Sequence, residues 1–272
     1  MLKALVIGIV EGITEFLPIS STGHMIIAGN LINFQAPKYP KAYVDMFEVV
    51  IQLGAILAII VLYWKKIKDS LMNIMPGKWG FKLWFNIIVA FIPSAIIGLL
   101  LHKFIEDRLF NAITVSLALI IGGFLMILME NKYRRGNKTK SIENVNIVQA
   151  FKIGCFQCLA LWPGMSRSAS TIIGAWVSGL NTVAAAEFSF FLAIPTMIAA
   201  SGYSLLKERA VMNASQTIAL IIGFVVSFIV ALVVVEKFIN FLKRKPMRIF
   251  AIYRIIVGVI ILTLSHLHII SV

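Results

Sequence analysis

Hydrophobic positions along the 272-residue chain fall into long uninterrupted runs. Six of them cover about 44–64, 83–101, 112–130, 184–206, 216–236 and 249–270. Each is close to the roughly 20 apolar residues that cross a bilayer core, so each predicts a transmembrane helix. Two further apolar regions, 1–34 and 147–181, break the pattern. Their centres read "LPISSTGH" and "WPGMSRSAST", and Pro, Gly and hydroxyl residues leave each half too short to span. A pair of short helices around a break predicts a re-entrant hairpin. Irregular backbone at membrane depth survives only where protein or a water-filled cavity surrounds it.

The two halves resemble each other. "GIVEGITEFLPISS" parallels "GCFQCLALWPGMSRS" with one residue of slippage, and "FEVVIQLGAILA" parallels "AEFSFFLAIPTM", placing Glu48 opposite Glu187. "HKFIEDRLFNAITVSLALIIGG" likewise parallels "EKFINFLKRKPMRIFAIYRIIVG". The expected organisation is one membrane domain over 1–272: repeat 1 at 1–130, a cytoplasmic linker at 131–146 and repeat 2 at 147–272. Each half supplies one hairpin and three spans. Three is odd, so the second half enters from the opposite side. The expected fold is therefore an all-α integral membrane protein with an inverted-topology repeat, six transmembrane helices plus two re-entrant helical hairpins, and breaks that meet near the midplane.

Charge sets the orientation. The stretches 65–82, 131–146 and 237–248 hold five Lys or Arg each, whereas the opposite face has only Lys3, Lys38, Lys41, Lys103, Arg108, Lys207 and Arg209. The excess marks the cytoplasmic side, which places both termini outside. Composition agrees with the class: 60% hydrophobic residues, 14% charged, mean hydropathy +0.92. The formal charge of +13 sits mainly in short loops, which fits topology and anionic-lipid contact rather than nucleic acid. The only cysteines, Cys155 and Cys158, lie in an apolar stretch with no second pair to complete a zinc site. They read as small buried hydrophobes. No early run has the form of a cleaved signal peptide, because Glu11 and Glu15 interrupt the first.

Polar residues inside these apolar regions carry the chemistry. Glu11 and Glu15, one helical turn apart, share a face. Intramembrane carboxylates need a partner, water, a shared proton or a shared cation; the plainer alternative is a wet helix end at the surface. Pro18 ends the first helix. Ser20, Ser21 and Thr22 then offer a cap and free backbone N–H groups for an anion. His24 follows within a turn, so a Ser–His pair is available for nucleophilic attack, although capping and a satisfied core histidine are the ordinary uses. In "PGMSRSAST", Arg167 is flanked by Ser166 and Ser168, with Ser170 and Thr171 one turn on. A guanidinium fork at depth suits a phosphate or a structural ion pair with Glu11 or Glu15. A cation site, a nucleophile and a phosphate clamp at the midplane are the parts needed to cleave a phosphoanhydride on a lipid. Glu48, Glu187 and Arg254 read as structural partners, and Trp162 as packing.

"EGITEFLPISSTGH" and "PGMSRSAST" together resemble the two signature motifs of the bacterial undecaprenyl-diphosphate phosphatases, also called bacitracin-resistance proteins. The similarity runs along essentially the whole chain. It implies hydrolysis of undecaprenyl diphosphate to undecaprenyl phosphate and phosphate, which recycles the carrier lipid for peptidoglycan. It further implies a plasma-membrane location with an outward-facing site, and dependence on Mg²⁺ or Ca²⁺. Carried onto this sequence, the catalytic set is Glu11, Glu15, Ser21, His24 and Arg167. Substrate-binding residues are Ser20, Thr22, Ser166, Ser168 and Thr171, and the metal residues are Glu11 and Glu15. The nucleophile stays open between Ser21, His24 and water. The expected partners are a polyprenyl diphosphate and membrane lipids; a homodimer is compatible with the sequence and not specified by it. Phosphatases of the phosphatidic-acid type need a different pattern that Ile173 and the Thr-Gly before His24 do not supply. The rival class is a secondary transporter or lipid flippase, built from the same inverted repeats and broken helices; the hydroxyl–His–Arg set argues for the hydrolase.

Overall fold

The computed structural model describes residues 1–34, 40–134, 139–207, 212–267 and 269. The described residues form helices and no strand: α1 (Leu2–Thr14), α2 (Ser21–Leu31), α3 (Lys41–Leu62), α4 (Trp64–Met72), α5 (Trp79–Leu109), α6 (Ala112–Tyr133), α7 (Ile147–Gln157), α8 (Arg167–Val177), α9 (Thr182–Lys207), α10 (Ala214–Leu242) and α11 (Arg248–His266). Six of these, α3, α5, α6, α9, α10 and α11, are long and apolar enough to cross a membrane, and the chain is a multi-pass membrane protein.

The caps are legible in the sequence. Asn111 accepts the Thr114 N–H at the start of α6, while Asn146 with Gln149 and Asn213 with Gln216 form reciprocal capping boxes on α7 and α10. Each satisfies amides that a helix start leaves unpaired. After α8 the chain turns through Gly179 at φ 90°, a conformation that costs glycine little.

Two boundaries differ from the hydrophobic pattern. The helix α5 runs on past the apolar stretch through His102, Glu106 and Arg108, and α10 extends to Leu242. Charged residues leave a lipid environment but do not end a helix; capping does. The stretch 65–82, expected as a loop, contains the amphipathic helix α4. From α4, Lys66 bridges Glu143 at 2.8 Å and Glu187 of α9 at 2.9 Å. Burial would lower the Lys66 pKa, but bonds to the two carboxylates outweigh it and raise it above the ordinary value of 10.5.

The helices pack in matched pairs. α1 lies on α10 as α7 lies on α5, α3 on α10 as α9 on α5, and α2 on α11 as α8 on α6; α6 and α11 pair with each other, as do α3 and α9. Small residues allow the closest approach. A Cβ on Gly8 would collide with the backbone of Gly223 in α10, and one on Gly154 with the backbone of Ala90 in α5. The core gathers around fully buried Phe16, Trp176, Phe188, Phe190 and Phe191. The outer faces carry exposed Ile88, Ile92 and Ile96 on α5 and Ile221, Val225, Ile229 and Val233 on α10. Their four-residue steps make apolar stripes for lipid. Cys155 belongs to such an exposed face of α7 rather than to the interior, and Cys158 is half-buried.

Candidate functional site

Both helix breaks end in the same unusual backbone. After α1 the chain turns over 15–19 and reaches Ser20 at φ 70°, ψ 106°; after a 3₁₀ turn at Cys158–Leu161 it reaches Ser166 at φ 69°, ψ 117°. Neither is glycine, so each pays roughly 1–3 kcal/mol of strain that the surroundings must hold. The next helices start at Ser21 and Arg167, and their N-termini converge on one polar cavity of about 150 Å³. Among the residues lining it are Glu15, Ser20, Ser21, Thr22, Ser166 and Arg167. No side chain caps α2, whereas Ser166 Oγ accepts the Ala169 N–H in α8. The uncapped first turn of α2 and the positive ends of two helix dipoles suit an anion.

Glu15 is its hub. Oε1 takes Arg167 Nη2 at 3.1 Å, and Oε2 accepts the Ser21 hydroxyl at 2.9 Å. The ion pair is almost dry, its side chains 8% and 4% exposed. Arg167 is fixed on its other side, where Nη1 donates to the Ser189 carbonyl at 3.0 Å and to Ser189 Oγ at 3.2 Å. Its guanidinium lies 5.6 Å from the Phe16 ring centroid, and Nε has no acceptor. Glu11 is fully buried one turn behind Glu15, and neither of its oxygens has a donor. Orphaned carboxylate oxygens at this depth fit a shared proton or a cation. Among the described residues no three His, Cys, Asp or Glu side chains are grouped to hold a metal. A cation here would draw on Glu11, Glu15 and oxygens of a ligand.

The remaining expected site residues stand outside the cavity lining. His24 does not meet Ser21. Its Nδ1 lies 2.7 Å from the Ser20 carbonyl, Nε2 lies 2.9 Å from Tyr253 Oη, and the two rings stack at 5.5 Å. That pattern fits a neutral tautomer with the proton on Nδ1. His24 thereby braces the carbonyl of the strained Ser20. Ser168 and Thr171 are fully buried: Ser168 Oγ donates to the Phe16 carbonyl at 2.9 Å, and Thr171 Oγ1 lies 2.7 Å from Ser189 Oγ. They lock the two breaks and α9 together and do not line the cavity. Ser170 returns to the Ser166 carbonyl, and Trp162 to that of Thr114.

Arg254 pairs with no carboxylate among the described residues. It is fully buried, and Nη2 donates to the carbonyls of Gly164 at 2.8 Å and Met165 at 2.9 Å. Adjacent residues of α11 therefore hold the two breaks, Tyr253 through His24 and Arg254 directly. The sequence reading missed Tyr253, Ser189 and Gln52, which also lines the cavity. Gln52 carried a signal, a polar side chain one turn after Glu48 inside a span; Ser189 and Tyr253 carried none.

An undecaprenyl-diphosphatase of Clostridium novyi (strain NT) is 58% identical over the whole chain and 98% of its own length. One of Clostridium tetani is 55% identical, covering all of this chain and 99% of its own. One of Thermoanaerobacter pseudethanolicus is 52% identical over 97% of this chain and 96% of its own. Residues 4–260 match the family model described as bacitracin resistance protein BacA, and the chain belongs to that family.

Proposed function

We propose that the chain hydrolyses undecaprenyl diphosphate to undecaprenyl phosphate and inorganic phosphate. This returns the carrier lipid to cell-wall synthesis and removes the diphosphate that bacitracin sequesters. The carrying observation is Glu15, held by Arg167 and accepting the Ser21 hydroxyl at the mouth of two helix N-termini. A nucleophile, its base and the group that orients the base stand in hydrogen-bonding sequence. Ser21 Oγ attacks the terminal phosphorus and its proton passes to Glu15 Oε2. The bond from phosphorus to the bridging oxygen breaks, and undecaprenyl phosphate leaves with the electron pair. Water then attacks the phosphoserine, Ser21 regains a proton and phosphate departs. Arg167 and the free amides of α2 balance the charge on the transferring group. His24 holds the Ser20 backbone in register.

Glu11 and Glu15 are the residues that would hold Mg²⁺ or Ca²⁺. When bound, such a cation neutralises phosphate charge. The two breaks are read as re-entrant hairpins of an inverted repeat, with the halves 1–130 and 147–272 joined by the linker 131–146. The matched helix pairs and the matched backbone at Ser20 and Ser166 support it. The basic stretches support a cytoplasmic linker, outward termini and an outward site in the bacterial plasma membrane.

The test is phosphate release from a C55 or C15 prenyl diphosphate by the purified protein in detergent, with Mg²⁺ and with EDTA, beside Arg167→Ala. Metal-dependent release that falls about 10²–10³-fold in the variant is the expected result. No release from folded protein overturns the proposal.

A further inference from the structure

A second cavity, of about 300 Å³, lies at the opposite ends of α6 and α11, lined by Glu130, Asn131, Arg134, Pro246 and Arg248. It shares no residue with the site described above. Arg248 Nη2 donates to Asn131 Oδ1 at 2.7 Å and so ties the two helices at its mouth. The one acid is already engaged. Glu130 Oε1 accepts the Met247 N–H at 2.7 Å, which fixes the turn between α10 and α11, and lies 3.7 Å from Arg134 Nε. Two guanidinium groups thus face one carboxylate, which leaves a net positive charge at the cavity. Lys132, Lys243, Arg244 and Lys245 add positive charge in the neighbouring sequence.

The surface beside the cavity is apolar. On α6, Phe124 and Leu128 precede Asn131 at helical spacing; on α11, Ile252 and Ile256 follow Arg248 at four-residue steps. All four are exposed. A cationic hollow at the membrane edge, continued by an apolar lane toward the bilayer interior, matches one kind of molecule. It has a negatively charged phosphate head and hydrocarbon chains.

We propose that this cavity is a binding site for an anionic phospholipid of the leaflet on the basic face. The phosphate sits between Arg134 and Arg248, and the acyl chains lie along α6 and α11. Guanidinium forks hold phosphate oxygens two at a time, so the lipid joins the free ends of two helices that otherwise meet there through the Arg248–Asn131 bond and Glu130.

Native mass spectrometry of the full chain tests this, with phosphatidylglycerol and phosphatidylcholine of identical chains offered in mixed micelles. The wild-type protein should retain phosphatidylglycerol preferentially. Arg134→Gln/Arg248→Gln should retain about thirtyfold less, the scale expected for two arginines at a membrane surface. Lys78→Gln/Lys82→Gln, which removes equal charge elsewhere on that face, should bind like the wild type. Equal retention by the arginine variant, an equal loss in the lysine control, or no preference over phosphatidylcholine would each overturn the proposal. Complete displacement by inorganic phosphate would assign the cavity to a free anion and overturn the lipid. If the double variant does not fold, Arg248→Gln alone, which keeps the Glu130–Arg134 pair, carries the same comparison.

Discussion

The two helix breaks share a backbone and differ in everything else. Ser20 and Ser166 have nearly the same φ and ψ, yet α2 buries only Gly23 and Met25 whereas α8 buries nine of its eleven residues. The first break carries two acids, a hydroxyl bonded to one of them and an uncapped helix start. The second carries the guanidinium, and its hydroxyls are spent on the protein itself. The teaching is a division of labour within a duplicated shape. One copy is packed so that its charge stays in place, and the other is left open so that its polar groups can react.

The largest test of that division is Ser21→Ala. Loss of the nucleophile should cut turnover by at least about 10⁴-fold, whereas Arg167→Ala at the equivalent position of the other break should cost about 10²–10³-fold. Rapid-quench trapping checks the step. A phosphopeptide mapping to Ser21 is expected, and a label on His24 or none at all would sink the serine. Next comes Glu11→Gln. Activity should fall about 10³-fold with loss of the metal response. In EDTA the variant should unfold at a higher temperature than the wild type, because a Gln amide can donate to the Glu15 carboxylate where two buried carboxyl groups otherwise face each other. A lower unfolding temperature would mean Glu11 has a partner.

The α11 dipeptide separates the breaks more gently. Arg254→Met frees the Gly164 and Met165 carbonyls and should reduce turnover about 10²-fold, the scale of a small misplacement near the chemistry. Tyr253→Phe keeps the ring on His24 but removes its hydroxyl, worth about 1 kcal/mol or roughly fivefold. If Tyr253→Phe costs more than Arg254→Met, the open break depends on α11 more than the packed one does. Lys66→Met, remote from both, should leave turnover intact and lower the unfolding temperature at neutral pH. Because the folded pKa of Lys66 is raised, its contribution is complete below the ordinary 10.5 and fades as pH rises through the raised value. The gap between variant and wild type in a melting series should therefore close only above that pH.

Much of the fold was readable because bilayer length leaves few choices for an apolar run. The ends of α5 and α10 were not, since charged residues such as His102 and Glu106 continue a helix beyond the lipid. At the site, the pairing of Arg167 with a glutamate followed from the cost of a lone buried charge. Which glutamate, and the Ser21–Glu15 bond, did not, because Ser21 reaches Glu15 across a turn whose shape rests on Ser20. Helical spacing could not say that Ser168 and Thr171 face inward, since hydroxyls one turn apart suit either face. His24 was expected beside the serines and does return to Ser20, but at its carbonyl and not at a serine hydroxyl; its other partner is Tyr253, 229 positions away, which no local pattern reveals.

The small size of the polar cavity has a consequence for what the protein can distinguish. A hollow of about 150 Å³ is the size for a phosphate group and too small for a long isoprenoid. On the proposed function, the tail lies outside it. Selection must rest on the count of anionic groups at the head, so chains of different length should be treated alike. On the proposed reaction the product, one phosphate poorer, is held by fewer charges and should leave more readily.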